Sequence, residues 1–124
     1  MKRIIHTDLA PKAVGPYSQA VEANGMLFIS GQIPINPQTG TIPEGIEAQT
    51  EQVMQNIEAI LTEAGYGFEH VIKSTCLLSD IVNFKPMNEI YAKRYPTNPP
   101  ARATYAVKDL PMGVLVEIET IAAK

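Results

Sequence analysis

Cysteine occurs once in these 124 residues, as Cys76, which excludes an internal disulfide and any metal centre built from several thiolates. Its setting, Lys73-Ser74-Thr75-Cys76-Leu77-Leu78, reads as a buried core thiol rather than a nucleophile, because free cysteine is among the most buried residue types. Histidine is nearly as scarce. His6 and His70 stand alone in the sequence and read as surface residues, so no metal-ligand cluster is spelled out. Positive charge is not in excess either: ten Lys and Arg against thirteen Asp and Glu leave a net charge of -3. The basic residues are spread out, with no stripe to displace counterions from a nucleic acid. No apolar run approaches the roughly 18 residues of a membrane span. Met1-Lys2-Arg3-Ile4-Ile5-His6-Thr7-Asp8 turns polar too early for a signal peptide. A Gly-rich phosphate loop is missing as well. These absences lead to the expectation of a cytoplasmic protein without nucleic-acid or membrane partners.

What is present is a core. At 45% hydrophobic over 124 residues, the chain has material for one domain, 1–124, and no room for a second. Tyr17–Ala23 and Met26–Ser30 flank Asn24-Gly25, the dipeptide that supplies the two positive φ values of a type I′ turn, and predict a β-hairpin. Ile33 to Gly45 is punctuated by Pro34, Pro37, Gly40 and Pro43 and reads as an ordered loop. From Glu47 to Ala64, the positions Val53, Met54, Ile57, Ile60, Leu61 and Ala64 recur at steps of mainly three and four and predict an amphipathic helix closed by Gly65. Val71–Leu78 reads as a strand and Phe84–Tyr95 as a second helix, its early Pro86 tolerable in the first turn. Ala101–Val107 and Val114–Ala122 complete the strands, with a further short one expected at Arg3–His6.

Two helices cover one face of such a sheet. Met26-Leu27-Phe28-Ile29 and Val71-Ile72 are nevertheless apolar on both faces, as in strands buried on both sides. Another copy of the chain is the economical cover, since symmetric homo-oligomers bury such surfaces. A closed single-chain barrel is the competing explanation.

Arg102 lies in Asn98-Pro99-Pro100-Ala101-Arg102-Ala103-Thr104, where two prolines fix φ and start the following strand at a defined place. A permanently charged fork with paired donors suits recognition of a small anion better than proton transfer. Taken alone, such an arginine reads as solvated or ion-paired. Three other stretches stand out: Gly15-Pro16-Tyr17-Ser18-Gln19-Ala20, Ser30-Gly31-Gln32-Ile33-Pro34, and Leu110-Pro111 leading to Val116-Glu117-Ile118-Glu119. Each has a plain structural reading: a turn with a packed aromatic, a strand end, and a solvent-facing acidic row. Gly31 would also let a ligand or another backbone approach closely. Glu117 and Glu119 share one strand face about 7 Å apart, and Asn88 by default is an exposed polar residue of the second helix.

Together, and in this order, these motifs resemble the reactive intermediate deaminase (Rid) family, closest to its RidA branch of enamine/imine deaminases. The likeness runs nearly end to end. It implies an α+β, bacillus chorismate-mutase-like fold with a mixed β-sheet backed by two helices, and a homotrimer with ligand clefts between subunits. It further implies that Arg102 holds a substrate carboxylate, with Tyr17, Ser30, Gly31, Asn88 and Glu117 at cleft positions. The implied chemistry is hydrolysis of 2-aminoacrylate-type or 2-aminocrotonate-type products of pyridoxal-phosphate dehydratases to 2-oxo acids and ammonia. Arg102 and Glu117 would carry it, without metal or cofactor. Glu117 would position or activate water, or else orient Arg102. One departure stands out: the family usually places serine or threonine after this arginine, and here Ala103 stands there. Thr104 occupies a position where many relatives carry cysteine, on the strand face of Arg102, from which its hydroxyl would reach the cleft. The rival reading is a trimer that binds small carboxylates for sensing or regulation without turnover. A ribonuclease or translation-inhibitor role fits the acidic balance poorly.

Overall fold

The computed structural model describes residues 1–124. Six strands form one sheet: β1 (Arg3–Ile5), β2 (Ala20–Ala23), β3 (Met26–Gln32), β4 (Val71–Leu78), β5 (Ala101–Ala106) and β6 (Val116–Ala123). Their spatial order is β1-β2-β3-β6-β4-β5. The β4–β5 pair is parallel and the other pairs are antiparallel, so the sheet is mixed. Helices α1 (Ile46–Ala64) and α2 (Phe84–Ala92) pack on one face. The fold is α+β, and with β1 and β5 left as edges the sheet is open rather than a closed barrel.

The hairpin turns at Asn24 (φ 53) and Gly25 (φ 76), both in the left-handed region that a type I′ turn requires. The apolar stripe of α1 buries Val53, Met54, Ile57, Ile60 and Leu61 against Leu27, Ile29, Cys76 and Ile118 of the sheet. This is the main core. Gly65 closes α1 at φ 85, donating its N–H to the last turn, while Arg3 and Lys124 donate to the carbonyls of Ala64 and Gly65 at 3.2 and 2.6 Å. Both chain ends therefore supply cations to the negative pole of one helix. Arg94 forks onto Glu51 with two 2.9 Å bonds and ties the turn after α2 to α1.

Several element ends differ from expectation. β2 starts at Ala20 rather than Tyr17, because the Gln19 side chain is bonded into the preceding loop, and β3 runs on to Gln32 rather than ending at Ser30. α2 stops at Ala92, and Lys93 to Tyr95 tighten into i→i+3 bonds, because Pro96 disfavours helical geometry in the residue before it. β6 begins at Val116 rather than Val114. Met112 (φ 57) and Gly113 (φ 66) make a left-handed turn, and the N–H of Leu115 is taken by the Gln49 side chain at 2.8 Å instead of a neighbouring strand.

The face away from the helices is open in the single chain. Ile4, Val21, Phe28 and Ile121 are register partners across β1, β2, β3 and β6, forming an apolar row in which Ile4 is 53% and Phe28 46% exposed. Ile72 adds another, also 46% exposed. Strands apolar on both sides thus have one side covered by helices and one side uncovered.

Gly65→Ala tests the helix stop. The new Cβ would meet only Lys124 Nζ, at 3.7 Å, so the cost is conformational, about 1 kcal/mol. It should appear as a lower urea midpoint with an unchanged slope; an unchanged midpoint would remove the left-handed cap from the account of where α1 ends.

Candidate active site

The motif residues fall into two groups. The first lines a cavity of about 640 Å³ whose walls include Tyr17, Ser30, Gly31, Pro111, Met112 and Glu117. Gln19 builds its outer wall: the buried side-chain amide accepts from Thr7 N at 2.7 Å and donates to the carbonyls of Thr7 and Pro11 at 3.0 and 2.8 Å. The loop before β2 is thereby folded over the sheet end, with Tyr17 52% exposed on the rim. Ser30 Oγ donates to the Ser18 carbonyl at 2.6 Å, so its proton is committed to holding this loop.

Between Ile29 and Gln32 the pairing of β3 with β6 shifts register, and Ser30 and Gly31 together face Glu119 alone. This is a β-bulge, a device that re-aims side chains beside sites. It brings the Gly31 backbone up to Glu117: a Cβ there would collide with the carboxylate and lie 3.2 Å from its Cγ. Glu117 is partly buried while Glu119 is exposed, so the acidic row is not uniform. Burial first, and the charge of Glu119 second, raise the Glu117 carboxyl above its ordinary range. Such a carboxyl can exchange a proton nearer neutrality.

The second group centres on Arg102 of the edge strand β5. Its one hydrogen bond runs from Nη1 to Asn88 Oδ1 at 2.7 Å, leaving Nε and Nη2 without a protein acceptor. The guanidinium carbon lies 4.9 Å from the Tyr91 ring centroid and 5.6 Å from that of Phe84. Phe84, Asn88 and Tyr91 follow at i, i+4 and i+7 on one face of α2, forming a platform under the charge. A hollow of about 410 Å³ adjoins it, lined by Asn88, Tyr91, Tyr95, Pro99, Pro100 and Arg102. Thr104 shares the Arg102 face, but its hydroxyl is buried against Cys76, its register partner, and does not reach the hollow. Ala103 points the other way. Burial pushes the Cys76 thiol up to about 11, so it is an inert core group.

The two groups do not meet within one chain. Arg102 is aligned with the wholly buried Ser74 on the helix-covered side, whereas Glu117 pairs with Leu77 on the open side. A shared cleft for Arg102 and Glu117 is therefore not a property of the single chain. The structure groups Tyr17, Ser30, Gly31 and Glu117 in one place and Asn88 and Arg102 in another. Sequence reasoning missed Phe84 and Tyr91, whose signal was their helical spacing around Asn88, and the tether role of Gln19. No group of three or more His, Cys, Asp or Glu side chains is assembled. No helix is long and apolar enough to cross a membrane.

The family model described as Endoribonuclease L-PSP matches residues 7–124, and the solved RidA of an Antarctic Psychrobacter superposes with a TM-score of 0.95 at 43% identity, over 98% of this chain and 99% of that one. The chain belongs to the Rid family. It is 53% identical to a RutC family protein of Pyrococcus horikoshii across 100% of this chain and 99% of that protein. It is 47% identical to the chloroplastic Reactive Intermediate Deaminase A of Arabidopsis thaliana over 98% of this chain and 65% of that longer one. Escherichia coli TdcF, solved with bound serine, matches with a TM-score of 0.94 and 39% identity over 98% of each chain.

Glu117 gives a pH test with a definite sign. A carboxyl raised above its unfolded value contributes stability that is fully present below the ordinary value of 4.5 and is lost as pH rises through the raised one. Glu117→Gln removes that loss, so the variant should melt above the parent at pH 7, with the difference shrinking as pH falls through the raised value and gone below 4.5. A difference independent of pH would deny the raised carboxyl. Glu119→Gln should bring the Glu117 titration, followed by carboxyl NMR, part of the way down.

Proposed function

We propose that this Rid-family protein is an enamine/imine deaminase acting on small 2-aminoacrylate-type or 2-aminocrotonate-type carboxylates, and that it works as a homotrimer with sites between subunits. The observation that carries this reading is the pairing of an arginine with free donors on an aromatic platform and a half-buried, raised carboxyl over a glycine. Each lies at an end of one sheet whose apolar face awaits a second copy. The Arabidopsis relative's name, Reactive Intermediate Deaminase A, and the serine bound in TdcF support a small amino-acid-like ligand.

The chemistry asks little beyond placement. Arg102 receives the carboxylate on two parallel donors. The enamine takes a proton at its terminal carbon and becomes the imine. Water then adds to the imine carbon, the nitrogen takes up a proton, and the carbon–nitrogen bond breaks to release ammonia and the 2-oxo acid. Glu117, raised toward neutrality, fits the proton movements or the placement of water. The Gly31 backbone, brought in by the bulge, fits the nitrogen, and holding the reactants in this geometry supplies most of a modest acceleration.

The family model's description names an endoribonuclease. The Glu117 cavity argues against a phosphodiester there, since its charged lining is Glu117, Glu119 and the single cation Lys12. A carboxylate-binding sensor without turnover is separated from the enzyme by assay.

The test couples a pyridoxal-phosphate dehydratase acting on serine or threonine to this protein and follows decay of the released enamine. Wild type should accelerate the decay catalytically without added metal or cofactor. Arg102→Lys keeps the charge but loses the planar fork, and should lose about 10²-fold or more. Glu117→Gln should lose about 10²–10⁴-fold while still binding a 2-oxo acid. Binding without acceleration by wild type would establish the sensor, and full activity of Arg102→Lys would rule out bidentate recognition. Light scattering should give three times the chain mass; a stable monomer at micromolar concentration would sink the shared site.

A further inference from the structure

The hollow beside Arg102 is wider than a carboxylate alone requires. It measures about 410 Å³, and beyond Arg102 and Asn88 its walls are Tyr91, Ala92, Tyr95, Pro99 and Pro100. The two tyrosine rings stand 4.8 Å apart between centroids. Their hydroxyls are buried, on the side of Ser74, so what these residues turn to the hollow is ring carbon. Ala92, the last residue of α2, adds only a methyl group. The far wall is stiff. Asn98 takes a left-handed backbone (φ 49), which asparagine tolerates, and leads into Pro99 and Pro100, whose rings fix φ. A wall held in this way needs little further ordering when a ligand packs on it.

Arg102 is the only charged group in that lining, and its Nε and Nη2 have no protein acceptor. A mostly carbon hollow with one charged fork at its edge matches an amphiphile, with a carboxylate on the fork and an apolar chain against rings and prolines. In a 2-oxo or 2-imino acid the side chain begins two bonds from the carboxylate. A bare methyl group there would leave most of the walls in water. A second carboxylate or an ammonium at the end of the chain would meet no opposite charge beyond Arg102 itself and would lose hydration. The Glu117 cavity has two carboxylates in its lining and is the poorer host for an apolar chain.

We propose that Tyr91, Ala92, Tyr95, Pro99 and Pro100 form a side-chain subsite beside Arg102, which favours 2-oxo and 2-imino acids carrying a branched or longer apolar chain. The inference rests on the reading of Arg102 as the carboxylate anchor and adds what lies next to the anchor. The smallest enamines bind through the same fork and cover less of the wall. Ala92 sets the room available, since a larger side chain at that position fills the hollow from the helix end.

Calorimetric titration of wild type and Ala92→Leu with pyruvate, 4-methyl-2-oxopentanoate and 2-oxoglutarate tests it. Wild type should bind 4-methyl-2-oxopentanoate about tenfold or more tightly than pyruvate, and 2-oxoglutarate no more tightly than pyruvate. Ala92 is exposed at the end of α2, where leucine is a good helix former, and Ala92→Leu should bring the tenfold ratio to about one. All three ligands report on the same folded fraction, so the ratio stays readable even if less of the variant folds. Equal affinity of wild type for pyruvate and the branched acid, or a preference that survives Ala92→Leu, overturns the subsite and leaves the anchor standing. So does 2-oxoglutarate binding as tightly as the branched acid. If wild type binds none of the three, carboxylate recognition at Arg102 fails and the subsite falls with it. In a crystal structure of the wild-type assembly with 4-methyl-2-oxopentanoate, the isobutyl group should touch Ala92 and Pro99; a chain seated in the Glu117 cavity instead overturns the subsite.

Discussion

An open sheet with helices on one face only cannot satisfy both of its apolar sides, and the rest of the molecule is organised around that imbalance. The helix side is settled by α1, whose stripe from Val53 to Leu61 is fully buried. The other side presents Ile4, Val21, Phe28 and Ile121 in register. Full burial of such a side chain from full exposure is worth ~1.5–3 kcal/mol, and the exposed parts of Ile4 and Phe28 leave a share of that to be gained by any partner that covers this side. The same side carries Glu117 and the bulge at Gly31, so whatever covers the sheet also borders the carboxyl.

Arg102 stands in the complementary position. Its edge strand and α2 give it an aromatic floor and one polar contact, and leave donors free. An arginine left so open at a sheet edge keeps donors available to a ligand or a neighbouring chain. Separation of the two charged groups onto opposite faces is a liability for a monomeric enzyme. Brought together between copies, as proposed, the two groups would make ligand binding conditional on assembly.

Much of the fold was legible because local chemistry and tertiary demand agreed. Asn24-Gly25 fixes the hairpin, the stripe of α1 has one period over nineteen residues, and β4 runs from Val71 to Leu78 as its composition indicates. The ends of α2 and β6 were less legible, since they depend on Pro96 acting on the residue before it and on the distant Gln49 taking the N–H of Leu115. At the site, the residue types of Tyr17, Gly31, Arg102 and Glu117 carried the resemblance, but their faces did not. The bulge at Ser30-Gly31 changes which residues share a side, and a one-residue change of phase cannot be read from a motif. Phe84 and Tyr91 were hidden in plain helical spacing.

The central claim is that one functional site takes Arg102 from one copy and Glu117 from another. Subunit mixing tests it most directly. Arg102→Ala and Glu117→Gln proteins, each inactive alone, are unfolded together at equal concentration, reassembled and assayed for enamine decay. If the halves meet between copies, random reassembly creates intact sites at about a quarter of the interfaces, and activity should return to about that fraction of wild type. No recovery in mixed assemblies of confirmed composition would contradict the shared site.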